Sequence, residues 1–494
     1  MSAGTFRRAL LLRLAISGLG ACKRDGGASV APPLDSSVPT ASTPTATATA
    51  PHVDGGPIGK PVVEAGVPLA TAKGDPCRGE ALPVDQHFVP AGICARLIAS
   101  SGQLIGMRQI TFAPNGDLFA VTYDGAVELL HDGDGNGVFD ASEVHDWGTT
   151  VDHGNNVHIA DNYVYAGSGD GVKRWPYVAG ALSAGASEDV VVGQPSDGHP
   201  LHTVHVYDGY LYVHSGCLGN AESANGAAYD TNRSQLRRFK LSSFVAGTPF
   251  QWLSGEVVTV GLRNMVGFTQ NAAGRMYGVV NGIDGVSYQG TDVQQDNPGE
   301  QVLELGLGRK YGWPFCFTAQ NVPKPGGGIF TPGTQLAHDQ LAFHDDAWCA
   351  ANSMKPATFL QAHSAPLEIL FFDRQPKGVL PERWRGGAFI AMHGSSYRTV
   401  PTGYKVVWVP FDANGNAPMP TANASGAVDF PYETVFGGGT SASPVDGKWT
   451  WTMANSAPDS PRPIGLAINA VDGALYIGSD GGRIYRLGQL NSGR

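Results

Sequence analysis

An all-β fold, a six-bladed β-propeller, is predicted by three observations. Gly (67) and Pro (34) are abundant in the 494 residues while charged residues make up only 15%, a composition suited to many short strands joined by tight turns. A strand–turn–strand unit recurs about six times at irregular spacing. Its turns carry Asn-Gly or Asp-Gly, the pairs that tight hairpins favour, and hairpins repeated around a ring make a propeller. A β-sandwich would use roughly seven to nine strands and leave most of the chain unassigned.

The first unit runs from Ile110 through the Asn115-Gly116 turn to Val121. Others start near Val157 (with Tyr163-Val164-Tyr165), near Val204 (with Tyr210 to Val213) and near Val266 (with Met276-Tyr277-Gly278). The fifth extends from Leu367 through Ala388-Phe389-Ile390-Ala391. The sixth joins Ile464 to Ala467, Leu475-Tyr476-Ile477 and Arg483 to Arg486. Residues 320–360 are poor in strand signal and read as a long loop.

The amino terminus reads as an address. Arg7 and Arg8 precede an apolar stretch, Ala9 to Ile16, and Leu19-Gly20-Ala21-Cys22 has the bacterial lipobox pattern. Residues 1–21 are therefore expected to be a lipoprotein signal, with Cys22 acylated, and the product an exported bacterial lipoprotein, periplasmic or on the cell surface. Residues 22–75, rich in Ala, Pro, Thr, Ser and Gly, have too few large apolar groups to offset their ordering entropy and read as a disordered tether. The propeller then occupies 76–494. No apolar run long enough to span a bilayer follows the first thirty positions, so membrane contact is expected only through the lipid anchor. A formal net charge of −10 argues against nucleic acid as a partner.

Export implies an oxidising compartment. Setting Cys22 aside, the near-neighbour pairs are Cys77–Cys94 and Cys316–Cys349, leaving Cys217 over. No Cys/His spacing suggests zinc.

Residues Asp132 to Glu143 fit a twelve-residue calcium loop. Asp132, Asp134, Asn136 and Asp140 supply side-chain oxygens and Val138 a backbone carbonyl. Gly137 makes the sharp turn and Glu143 can bind through both oxygens. The flanks read as strands, which predicts a structural loop rather than a sensor.

Three segments carry chemistry. Gly261-Leu262-Arg263-Asn264 offers a fork of donors and an amide, suited to a ligand rich in carboxylates and carbonyls. Tyr311-Gly312-Trp313-Pro314 adds rigid aromatic walls. Gly198-His199 opens the strand at Val204, which Ser215 to Asn220 close, and an imidazole is well poised to accept a proton near neutral pH. Asp152-His153 is a competing histidine pair.

These segments are followed in order by Asn281-Gly282-Ile283-Asp284, Asp296 to Glu300, His363 to Leu367, His393 to Arg398, Gly403 to Val407, Arg462 to Gly465 and Gly482 to Arg486. Taken together, the series resembles the soluble quinoprotein sugar dehydrogenases, the glucose/sorbosone dehydrogenase-like family, over most of the chain after the tether.

The resemblance implies pyrroloquinoline quinone at the top centre of the propeller, contacted by Arg263 and Asn264 and by Arg398 and Lys405 from later blades. It implies His199 as general base, and a second calcium near the Gly282 carbonyl and Asp284. The implied reaction oxidises a sugar or polyol hydroxyl, with hydride passing to the quinone and electrons to an external acceptor. Three departures stand out: His202 in place of an arginine, Met265 in place of a proline, and Glu368 in place of a small residue. Two other readings remain open: a non-catalytic propeller that binds a glycan or protein, and a calcium-dependent lactone hydrolase, whose paired acidic ligands are not evident.

Overall fold

The computed structural model describes residues 80–81, 87–150, 153–221, 232–341, 343–374, 379–395, 397–399, 401–423, 426–438 and 461–490. The expected signal, Cys22, the tether, Cys77 and Asp152 lie outside them.

Six sheets of four or five strands are arranged as blades. Their innermost strands are Met107–Phe112, Asn156–Ala160, Val204–Tyr207, Met265–Gln270, Pro366–Phe371 and Pro463–Ile468, which begin the six sequence units. Alternation along a strand sends successive side chains to opposite faces, and here both faces are covered. In Leu118–Thr122, Leu118 and Ala120 pack toward the sixth blade, whereas Phe119 and Val121 pack toward the second. Each gap between neighbouring blades is filled by one such apolar cluster. Burying each large side chain contributes about 1.5–3 kcal/mol.

The ring closes through the ends of the folded region. Ile93–Ile105 pairs antiparallel with Gly481–Gln489, so the sixth blade combines both termini. His87–Phe88 adds to the edge of the fifth blade at Glu433–Gly438.

Residues 320–360 are not a featureless loop. They continue an insertion within the fourth blade that holds the hairpin Cys316–Thr318 with Gln335–Ala337, and the helix Asp346–Asn352. A Cys316–Cys349 disulfide ties hairpin to helix, and the Asp345 side chain caps the helix by accepting from the Trp348 amide. Strands of three residues are too short to show an alternating pattern, so the segment carries no strand signal in sequence.

Polar groups cross the propeller axis. Gln109 of the first blade donates from Nε2 to Glu368 Oε2 of the fifth at 3.2 Å, and its Oε1 accepts from the Val157 amide of the second at 3.3 Å. Gly267 of the fourth blade presses against Glu368 so closely that any Cβ would collide with it. Burial pushes the Glu368 carboxyl up to about 8, against the hydrogen bonds from the Ile369 amide and Gln109. The folded value lies above the unfolded one, so this group's contribution to stability is full below the ordinary carboxyl range and is lost as pH rises through about 8. Glu368→Gln is accordingly expected to melt progressively higher than wild type as pH is raised from 5 to 9. An unchanged gap in melting temperature across that range would contradict this.

Candidate functional site

The inner strands start on one face of the ring, and the segments leading into them enclose a cavity of ≈ 290 Å³. Arg108 and Tyr123 come from the first blade, His199 from the approach to the third, Arg263 and Asn264 from the approach to the fourth, and His363 from the approach to the fifth. Asn281, Gly282, Asp284 and Glu300 of the fourth blade complete the acidic wall.

Two distant motifs meet here because of one glycine. Gly261 has φ 83°, and a Cβ on it would strike the Tyr311 carbonyl. The Tyr311 amide donates to the Val260 carbonyl at 3.0 Å, which brings the Tyr-Gly-Trp-Pro segment beside the Arg-Asn pair. Arg263 then lies with Cζ 5.4 Å from the Trp313 ring centroid.

Arg263 is 4% exposed and largely satisfied by the protein. It donates from Nη2 to Asn220 Oδ1 (2.8 Å), from Nε to the Asn220 carbonyl (3.2 Å) and from Nη1 to the Asn281 carbonyl (3.4 Å). Asn220 Oδ1 also accepts from the Asp284 amide, and its Nδ2 donates to the Asp284 carbonyl, so one amide fixes both residues. Asn264 donates from Nδ2 to Asn281 Oδ1 at 3.3 Å, while its own buried Oδ1 has no partner among the described residues.

Asp284, His363 and Glu300 form a charged group beside Arg263. His363 Nδ1 is 3.5 Å from Asp284 Oδ1, and its Nε2 donates to the Gln294 carbonyl at 2.7 Å. Burial works against the His363 cation, but Asp284 and Glu300 outweigh it and raise the imidazole above its ordinary range. Burial likewise opposes the Asp284 carboxylate, yet His363 and Arg263 hold it low. Glu300 accepts from the Gly282 amide at 2.7 Å, and burial pushes its carboxyl up to about 7. His363 has φ 62°, a conformation that costs a non-glycine residue about 1 kcal/mol or more and is typical of functional walls.

His199 lies 6% exposed at the cavity wall. Its Nδ1 is 3.0 Å from Cys217 Sγ, and the thiol donates to the Gly219 carbonyl at 3.1 Å. His202 is fully buried against the His214 carbonyl, and burial lowers it to about 4, so it adds no charge where the resemblance implied an arginine. His153 also lines the cavity, with its ring 4.9 Å from that of Tyr123.

Two expected cofactor contacts lie outside the cavity lining. Arg398 forms an ion pair with Asp296 at 2.8 Å, and Lys405 is buried in the third strand of the fifth blade, Nζ 5.2 Å from the Tyr432 ring centroid. Local partners, invisible in the motif pattern, hold both. Gly282 and Asp284 do line the cavity, but the Asp284 carboxylate is engaged by Arg263 (3.6 Å) and His363. The site residues missed by motif reading are Arg108, Tyr123, Glu300 and His363. The last two stood inside recognised motifs, whereas nothing in the sequence marked Arg108.

The Asp132–Glu143 loop joins the third and fourth strands of the first blade, on the face opposite the cavity. Among the described residues, Asp132, Asp134 and Glu143 are the only three such side chains whose ligand atoms lie within 4.8 Å of one another. Asn136 Oδ1 and Asp140 Oδ1 instead accept from the Val138 and Ser142 amides.

Fold and cavity together define a propeller with a charged, partly aromatic pocket at the top of its inner strands. A family profile described as TrAA12-like matches residues 88–489, and the chain belongs to that family. The resemblance to quinoprotein sugar dehydrogenases read from motif order is thereby borne out. The chain is 31% identical over 354 residues to a pyrroloquinoline quinone-dependent pyranose dehydrogenase of Coprinopsis cinerea, covering 69% of this chain and 47% of that one. The chain thus spans about half the length of that relative. A pyrroloquinoline quinone-dependent sugar dehydrogenase of Hypocrea jecorina is 27% identical over 431 residues, 82% of this chain and 91% of the other. Among solved structures, the holo form of the pyranose dehydrogenase PQQ domain from Coprinopsis cinerea matches with TM-score 0.66 and 26% identity, over 84% of this chain and 99% of that one. The calcium structure of a Trichoderma reesei family AA12 enzyme matches with TM-score 0.67 and 26% identity, over 83% and 99%.

Because the part-buried contacts of Asn220 tie Arg263 to the Asp284 backbone, Asn220→Ala is expected to lower unfolding free energy by about 1–3 kcal/mol in denaturant titrations. A change under about 0.5 kcal/mol would show that water replaces the amide without cost.

Proposed function

We propose that the cavity oxidises a hydroxyl of a sugar or polyol, with pyrroloquinoline quinone as resident cofactor. The observation that carries this reading is His199 at the wall of the cavity that Arg263 and Asn264 also line, with its ring held by Cys217. The Arg263 guanidinium on the cavity wall suits the carboxylates of a flat polycarboxylate quinone, and the unpartnered Asn264 Oδ1 can accept from a ring N–H of that group. When bound, that group supplies the hydride acceptor, and an external acceptor takes the electrons onward.

The chain's own part is proton handling and orientation. The Cys217 thiol gives its single hydrogen to the Gly219 carbonyl, so His199 Nδ1 carries a hydrogen toward Sγ and Nε2 keeps the lone pair. His199 Nε2 then accepts the proton of the substrate hydroxyl. Asn220 and Asp284 hold Arg263 in place, and its guanidinium lies against the Trp313 ring of the fourth-blade insertion. The decisive experiment adds pyrroloquinoline quinone and calcium to purified apo-protein and follows dye reduction with a panel of sugars. Reduction by wild type and a loss of at least about a hundredfold in kcat for His199→Ala are expected. Neither binding nor reduction would remove the enzyme reading in favour of a binding propeller, and full activity in the variant would remove His199 as base.

We also propose that Asp132, Asp134 and Glu143 hold a structural calcium ion. Saturating calcium is expected to raise the melting temperature, since a ligand at 100 times its Kd adds about 2.7 kcal/mol. Glu143→Ala should abolish that rise; an equal rise in both proteins would place the ion elsewhere.

A further inference from the structure

The cavity has a second cationic wall that no motif signals. Arg108 lies on the inner strand of the first blade, across the six-membered ring from the fourth-blade approach that carries Arg263. The two arginines differ in one decisive respect. All three nitrogens of Arg263 donate to protein acceptors, whereas Arg108 is 7% exposed with Nε and Nη2 lacking any hydrogen-bond partner among the described residues. A buried guanidinium left this way carries the full cost of lost hydration, a cost that a bound anion would offset.

Its surroundings do not supply that anion. Asp480 is the nearest influence of opposite sign, but its carboxylate serves His393 Nε2 at 2.8 Å and Arg462 Nη1 at 3.8 Å. Burial keeps His393 below its ordinary range, toward the neutral form. Two arginines therefore share one carboxylate, and this wall carries a net positive charge. Burial lowers Arg108 to about 10, still well above neutrality, so the charge persists at working pH. The guanidinium lies over the Tyr123 ring, with Arg108 Cζ 6.0 Å from its centroid.

We propose that Arg108 is a carboxylate-binding residue of the cavity, holding a ligand's carboxylate through its buried, unpartnered Nε and Nη2 edge. That edge is the fork that pairs with both oxygens of a carboxylate. The inference deepens the functional reading above and rests on it for the identity of the cavity. The carboxylate has two possible sources, the quinone cofactor or an acidic sugar substrate.

Calorimetry on apo-protein separates these sources without measuring turnover. Wild type, Arg108→Gln and Arg108→Lys are titrated with pyrroloquinoline quinone plus calcium, and separately with glucuronate and glucose. Loss of a charged, paired contact weakens binding by about tenfold to a hundredfold, with less loss for lysine, which keeps the charge and loses the fork. Weakened quinone binding in Arg108→Gln assigns the carboxylate to the cofactor. Weakened glucuronate binding with glucose unaffected assigns it to the substrate. Affinities within twofold of wild type for both acids would overturn the proposal, as would wild type that takes neither acid. Wild type that binds glucuronate but no quinone would defeat the cofactor reading, and the glucuronate arm would still decide the role of Arg108. If Arg108→Gln fails to fold, the lysine variant gives the same comparison.

Discussion

Pairing of Ile93–Ile105 with Gly481–Gln489 is the contact on which the rest of this structure depends. Each blade buries its two faces only against its neighbours, so an open ring would leave two apolar faces in water. Closure spends the entropy of joining strands almost four hundred residues apart, a cost that grows only slowly with separation. It also fixes where the six inner strands begin. Since the cavity is lined by residues of five blades, its geometry follows from closure rather than from any single loop.

The cavity so formed is electrically two-sided. Toward the third to fifth blades, Arg263, Asp284, His363 and Glu300 neutralise one another, and protons can be redistributed among them near neutral pH because burial lifts Glu300 while its neighbours lift His363. Toward the first and sixth blades, Arg108 and Arg462 share Asp480 and positive charge is left over. An anionic group entering such a pocket has a preferred orientation before any hydrogen bond forms.

Much of the fold was legible because the inner and second strands are long enough to alternate and are joined by turns with a known residue signature. The outer strands were not. Ile93–Ile105 finds its partner at the other end of the chain, and Phe250–Gln251 and Arg309–Lys310 are two-residue parallel additions with no periodicity to read. In the site, motif order located Arg263, Asn264 and His199 at the cavity, because backbone constraints such as that at Gly261 leave a trace in sequence. Arg398 and Lys405 were read from the same order, but a basic side chain chooses among local acceptors, and Asp296 captured the first. Arg108 left no trace at all. An arginine one residue into a strand reads as a solvent-facing position until the neighbouring blades are built around it.

His202 stands where the resemblance implies an arginine, and its surroundings change the charge expected there. An arginine three residues from His199 would hold a fixed positive charge beside the proposed base. His202 is instead buried against His214, and desolvation keeps both neutral, His214 the more so because His202 is its neighbour. In the same cavity Asp284 is close enough for His199 to favour its ionised form, after the larger effects of His363 and Arg263. A neutral histidine pair thus adds no charge beside His199, whose Nδ1 rests against Cys217 Sγ while Asp284 lines the same cavity.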